Sequence, residues 1–150
     1  MTASGDVPRV AMQVSRNVVF ASIQVELDED VIRLFQEDLL ERLHSTGARG
    51  VILDVSGLET LDSEEFRALR RIIAMARIMG AESVIVGLRP GVVSALIETG
   101  ADVDGLRGAR NLDAAYRLFE PGEAPPEAPP EADADAAEPG AGADPGSAEE

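Results

Sequence analysis

Asp54-Val-Ser-Gly-Leu-Glu-Thr-Leu-Asp-Ser-Glu-Glu-Phe66 joins two unlike patterns, and the reading of the chain turns on it. Upstream, residues 50–55, GVILDV, form a short apolar run closed by Ser56-Gly57, which is the pattern of a strand buried on both faces. Downstream, Phe66, Leu69, Ile72 or Ile73, Ala76 and Met79 recur at spacings of three and four. Glu64, Glu65, Arg67, Arg70 and Arg71 fall on the opposite, water-facing side, so an amphipathic helix is expected to run to Gly80. At the junction Asp62 can cap that helix, with Glu65 three residues on to close a reciprocal box. Ser63 then becomes the first helical residue, with its hydroxyl expected to be exposed. From spacing alone, Asp62-Ser63 reads as an ordinary helix cap.

The flanking sequence extends the pattern in both directions. Residues 10–14, VAMQV, and 18–25, VVFASIQV, read as two strands separated by Ser15, Arg16 and Asn17, a link short enough to demand an antiparallel hairpin. Asp28, Glu29 and Asp30 place negative charge at a helix start, and Ile32, Phe35, Leu39 and Leu43 give its buried stripe as far as Gly47. Residues 83–88, SVIVGL, form another buried strand. Pro90 sits in the first turn of a third helix, with Val92, Val93, Leu96 and Ile97 apolar and Gly100 at its end. Residues 106–110 suggest an edge strand. Asn111 caps a last helix carrying Leu112, Ala115, Leu118 and Phe119. Because each strand-helix-strand crossover should be parallel, the expected architecture is a small α/β sandwich with a mixed sheet of four to five strands and about four helices.

Past Phe119 the chain changes character. Seven of its nine prolines lie beyond residue 120, among Ala, Gly, Glu and Asp, with no aromatic or branched aliphatic residue. Such a segment cannot bury enough surface to offset its ordering entropy, so residues 1–120 are expected to form the domain and 121–150 a disordered, solvated tail. The tail holds nine acids and no base, and residues 1–120 hold nineteen acids against all thirteen Lys and Arg. Both parts would repel phosphate backbones, which argues against nucleic acid as a partner.

The inventory of reactive groups is short. With no Cys, neither a disulfide nor a thiolate site can form, and the single His44, near the end of the first helix, suits a surface or C-terminal capping role. Residues 87–91, GLRPG, punctuate a helix start and lack the lysine of a nucleotide cradle, so no cofactor or metal is expected. No run reaches the roughly 18–20 apolar residues of a membrane span. The opening MTASGDVPRV lacks a basic segment followed by an apolar one, and a cytoplasmic location is the expectation. Asp54, ending a central strand, matches the position of a receiver's phosphoacceptor aspartate. That chemistry needs an acidic pair at the end of the first strand to hold its metal, and residues 10–16 offer none. The favoured role for Asp54 is therefore to accept hydrogen bonds from loop amides.

Residues 10–119 resemble the STAS domains of bacterial anti-sigma factor antagonists. The resemblance rests on the apolar strand, Asp54, the short loop, Leu61-Asp62-Ser63 and the amphipathic helix that follows. It implies that Ser63 is the target of a serine kinase. Residues 75–77 (MAR), 86–90 (VGLRP) and 105–112 (GLRGARNL) look most like the RsbS group of stressosome scaffolds. That group assembles with RsbR-type STAS paralogues in homo- or hetero-oligomers, holds an RsbT-like switch kinase and releases it when phosphorylated. A soluble antagonist of the SpoIIAA or RsbV kind, which binds an anti-sigma factor kinase, is the alternative within the same fold.

The resemblance thus implies a signalling protein that is not an enzyme, with a kinase-binding surface comprising Asp62, Ser63, Glu64, Glu65 and Arg67. Glu64 and Glu65 stand where the family usually has apolar or neutral residues, and the acidic tail is not a family feature. Phosphate at a helix N-terminus leaves the helix intact, and among these acids it is expected to release a partner by repulsion and desolvation. Thr60 and Ser56 are further hydroxyls in the same loop.

Overall fold

The computed structural model describes residues 7–120, so the expected disordered tail at 121–150 lies outside the described residues. The elements follow in the order β1 (Ala11–Ser15), β2 (Val18–Ser22), α1 (Glu29–Thr46), β3 (Gly50–Asp54), α2 (Ser63–Ile78), β4 (Glu82–Val86), α3 (Pro90–Glu98), β5 (Gly108–Ala109) and α4 (Leu112–Arg117). They form a five-stranded mixed sheet of order β1-β2-β3-β4-β5, antiparallel between β1 and β2 and parallel from β2 onward. Arg16 and Asn17 both take positive φ, 55° and 64°, which matches the twist of a two-residue hairpin and sets the Ser15–Val18 register.

Two apolar layers flank the sheet. On one face Val19, Ala21, Val51, Leu53 and Ile85 pack with Val31, Phe35, Leu39 and Leu43 of α1, with Phe66, Leu69, Ile72 and Ala76 of α2, and with Val92 and Leu96 of α3. On the other, Val18, Ile52, Val84 and Val86 are covered by Ala115 and Phe119 at the C-terminal helix. Residues that alternate along β2 and β3 therefore serve opposite cores, so both strands read as continuous apolar runs.

Several facing assignments differ from the sequence expectation. Val31, not Ile32, is the buried residue in the first turn of α1. Met79 is 42% exposed because it is the C-cap of α2, beyond the last packed turn. Val93 and Ile97 face out from α3, whose nine residues bury only Val92 and Leu96. Leu112 and Leu118 are exposed in the same way around the short α4. The edge strand expected at 106–110 contracts to Gly108–Ala109. No helix among the described residues is long and apolar enough to cross a membrane.

Candidate functional site

The carboxyl ends of β3 and β4 lie side by side, and the loop from Asp54 to α2 is fastened there by named bonds. The Val55 amide donates to the Val86 carbonyl at 2.9 Å and the Ile23 amide to the Asp54 carbonyl at 2.9 Å. Asp54 Oδ1 accepts the Ser56 amide at 3.0 Å, and Arg89 donates to the Ser56 carbonyl at 3.1 Å. Asp54 thus performs the loop-holding role expected of it. Gly87 sits against this knot at φ 86°, where a β-carbon would meet the Ser56 backbone nitrogen at 2.8 Å and Asp54 Oδ1 at 2.9 Å. Gly87 therefore serves close packing just before a helix start, whereas a β-carbon on Gly91 would meet nothing within 4 Å.

From this fixed loop α2 begins with a closed capping box. Asp62 Oδ1 accepts the Glu65 amide at 2.7 Å, and Glu65 Oε1 accepts the Asp62 amide at 2.9 Å. Two of the four donors orphaned at the helix start are thereby satisfied reciprocally. Ser63 is left as the first helical residue, with no capping duty. Its side chain is half-buried, not fully exposed as the sequence suggested, and among the described residues its hydroxyl makes no hydrogen bond. Ser56, Glu59 and Thr60 lie exposed in the loop behind it, and His44 is exposed in the last turn of α1.

The helix start divides two grooves, which the sequence did not distinguish. One, between α1 and α2, is lined by Asp28, Glu29, Asp62, Glu64, Glu65, Arg67 and Arg71 together with Leu27, Ile32 and Ala68. The acids expected around Ser63 gather here. The other, toward α3, contains Ser63 itself with Phe66, Arg67, Arg70 and residues 99–102. Ser63 thus shares this groove with two arginines one and two turns along its own helix, and Arg67 borders both grooves. Arg70, expected in water, is held: it donates to the Asp104 carbonyl at 3.1 Å and to Asp102 Oδ2 at 3.4 Å. Among the described residues no cluster of three or more His, Cys, Asp or Glu is arranged to hold a metal ion.

The family model described as STAS domain matches residues 9–114. RsbT co-antagonist protein RsbRD of Bacillus subtilis (strain 168) is 24% identical over 90 residues, which is 60% of this chain and 32% of that protein. The chain therefore spans about a third of the length of that relative. A serine-to-glutamate variant of RsbS from Moorella thermoacetica superposes with a TM-score of 0.64 at 28% identity, covering 73% of this chain and 93% of that one. A chain of a structure describing the architecture of the stressosome gives a TM-score of 0.64 at 28% identity, covering 73% and 95%. Unphosphorylated SpoIIAA gives 0.56 at 16% identity, covering 73% and 96%, a likeness of fold alone.

Proposed function

The chain belongs to the STAS domain family, and from that premise we propose that it is a phosphorylation-controlled interaction switch of the RsbS kind, not an enzyme. In this reading residues 1–120 are the STAS domain and 121–150 a solvated acidic tail. The domain holds an RsbT-like serine/threonine kinase, assembles with RsbR-type paralogues in the cytoplasm, and lets the kinase go when Ser63 is phosphorylated. The observation that carries the reading is the state of the Ser63 hydroxyl. It stands at the first turn of α2 with no hydrogen bond among the described residues, while Asp62 and Glu65 are occupied with capping. The likeness to RsbS and to a stressosome chain supports the choice of partner class.

In the transfer, Ser63 Oγ bonds to the γ-phosphorus of ATP as the bond to ADP breaks, and the hydroxyl proton passes to a base on the kinase. The product adds about −1.5 to −2 charge at pH 7. A partner docked over Asp62, Ser63, Glu64, Glu65 and Arg67 then meets an anion where it met a neutral hydroxyl, and contact is lost without refolding.

Incubation with the cognate kinase and ATP tests this directly. Ser63→Ala should abolish incorporation with the fold retained, and Ser63→Asp should weaken kinase binding. Incorporation that persists in the alanine variant, at Thr60 or Ser56 for example, overturns the assignment. Size separates the two partner readings: recruitment into very large particles with RsbR-type paralogues supports the scaffold role, and a monomer or dimer bound to an anti-sigma factor kinase supports the SpoIIAA or RsbV role.

A further inference from the structure

The groove on the α3 side of Ser63 is built in a way that the phosphorylation reading alone does not require. Four residues of α2, at positions 63, 66, 67 and 70, share it with residues 99–102, and two of the four are arginines. Residues four and seven apart lie on one helical face, so Arg67 and Arg70 stand on the same side of α2 as Ser63 and line the same groove. Arg67 is exposed and forms no ion pair among the described residues. Arg70 is spoken for: its side chain is 29% exposed and reaches across to Asp102 and to the Asp104 carbonyl. These bonds tie α2 to the loop leading into β5. Within that loop Asp102 Oδ1 accepts the Asp104 amide at 3.1 Å, so one carboxylate serves both the loop and the arginine.

We propose that this groove is the receptor for the phosphoryl group of Ser63, with Arg67 and Arg70 as its cationic ligands, and that filling it draws Arg70 away from Asp102 and Asp104. The proposal rests on the reading of Ser63 as the phosphosite and adds what the phosphate binds and what it displaces. A dianion competes for Arg70 against a single carboxylate that is 68% exposed and 3.4 Å away, a contest the phosphate wins on charge and on its three acceptor oxygens. Asp102, a like charge across the same groove, is pushed in the other direction. The loop before β5 then loses its hydrogen-bonded tie to α2 and is left with the Ile85 amide's bond to the Arg107 carbonyl, the packing of Val103, Leu106 and Ala109, and the two-residue pairing of β5 with β4. Phosphorylation is therefore read out in two places: at the acidic crest of α2, and at the α3-β5 loop some three dozen residues further along the chain.

The test uses the full chain with phosphoserine installed at position 63 during translation, so no kinase is involved. A failure to find a kinase for the protein would count against the phosphosite reading and leave this experiment readable. Amide hydrogen exchange followed by NMR should show the Asp104 amide exchanging about two- to fivefold faster in the phosphorylated chain, the range an exposed ion pair can supply. The Nε–H resonances of Arg67 and Arg70 should shift with it. Unphosphorylated Arg70→Gln should show the fast exchange already, with phosphoserine adding nothing more. Should Arg70→Gln fail to fold, Arg70→Lys keeps the cation without the planar fork and should show a reduced response to phosphoserine. Exchange at residues 102–106 that is unchanged by phosphoserine, or that rises equally in the Arg70→Gln or Arg70→Lys background, overturns the proposal.

Discussion

The ring of Phe119 occupies the space that a side chain on Gly50 would need: a β-carbon there would stand 2.6 Å from Cε1 and 2.8 Å from Cδ1. The first residue of a central strand and the residue just past the last helix are therefore matched in shape, and the smaller apolar layer is sealed by that match. Gly50→Ala should lower stability by about 1–3 kcal/mol, the usual cost of overpacking, measured by urea unfolding. In a Phe119→Leu background the same change should cost clearly less. Equal costs in the two backgrounds would show that the ring is not what position 50 meets.

Removing the Asp62 cap should cost about 1 kcal/mol in Asp62→Ala, because the Glu65 amide at the start of α2 loses its acceptor and only the Glu65 half of the box remains. Asp62→Asn, which retains an acceptor oxygen, should cost less. Thermal unfolding of the two variants beside the parent chain measures the difference, and equal losses would exclude capping as the role of Asp62.

Gly87→Ala introduces a side chain at φ 86°, against the Ser56 backbone and Asp54 Oδ1. Strain and contact act in the same direction, and a loss of about 2–4 kcal/mol is expected. Gly91→Ala should be mild by comparison, since a β-carbon there meets nothing within 4 Å. Chemical denaturation of the pair decides it.

Ser83 is 9% exposed on β4 and its hydroxyl has no hydrogen-bond partner among the described residues. A buried, unpaired hydroxyl is a cost to the folded state, so Ser83→Ala should be neutral or raise stability by about 1 kcal/mol. A destabilisation beyond that size in calorimetry would show that the oxygen is satisfied.

Much of this arrangement was legible in the chain, and the exceptions have a common cause. The hairpin, the buried central strands and the Asp62 cap are written in local patterns: turn residues between apolar runs, unbroken aliphatic stretches, and an acid three residues before Glu65. Periodicity finds a stripe but not where a helix stops packing, so Met79, Val93, Ile97 and Leu118 were expected inside and lie outside. Arg70 was expected in water because nothing in its neighbourhood along the chain announces a partner more than thirty residues away. Ser63 was correctly placed as the first helical residue, yet its orientation was not available. Local spacing shows that Arg67 and Arg70 follow it by four and seven, and only the fold brings residues 99–102 across to make the other wall. For the same reason the sequence does not separate Ser63 from Asp62, Glu64 and Glu65, which line the groove on the other side of the helix start.

The strands stand in the sheet in the order in which they are made. Each pairing is therefore with the strand made just before it, closed by a tight hairpin in the first case and by a helical crossover in the others, a topology that permits stepwise assembly from the hairpin outward. The cost of that economy falls on the last piece to arrive. Until the segment carrying Ala115 and Phe119 leaves the ribosome, the layer formed by Val18, Ile52 and Val84 stays bare, so the nascent chain is most vulnerable to sticking at the moment when it looks nearly finished.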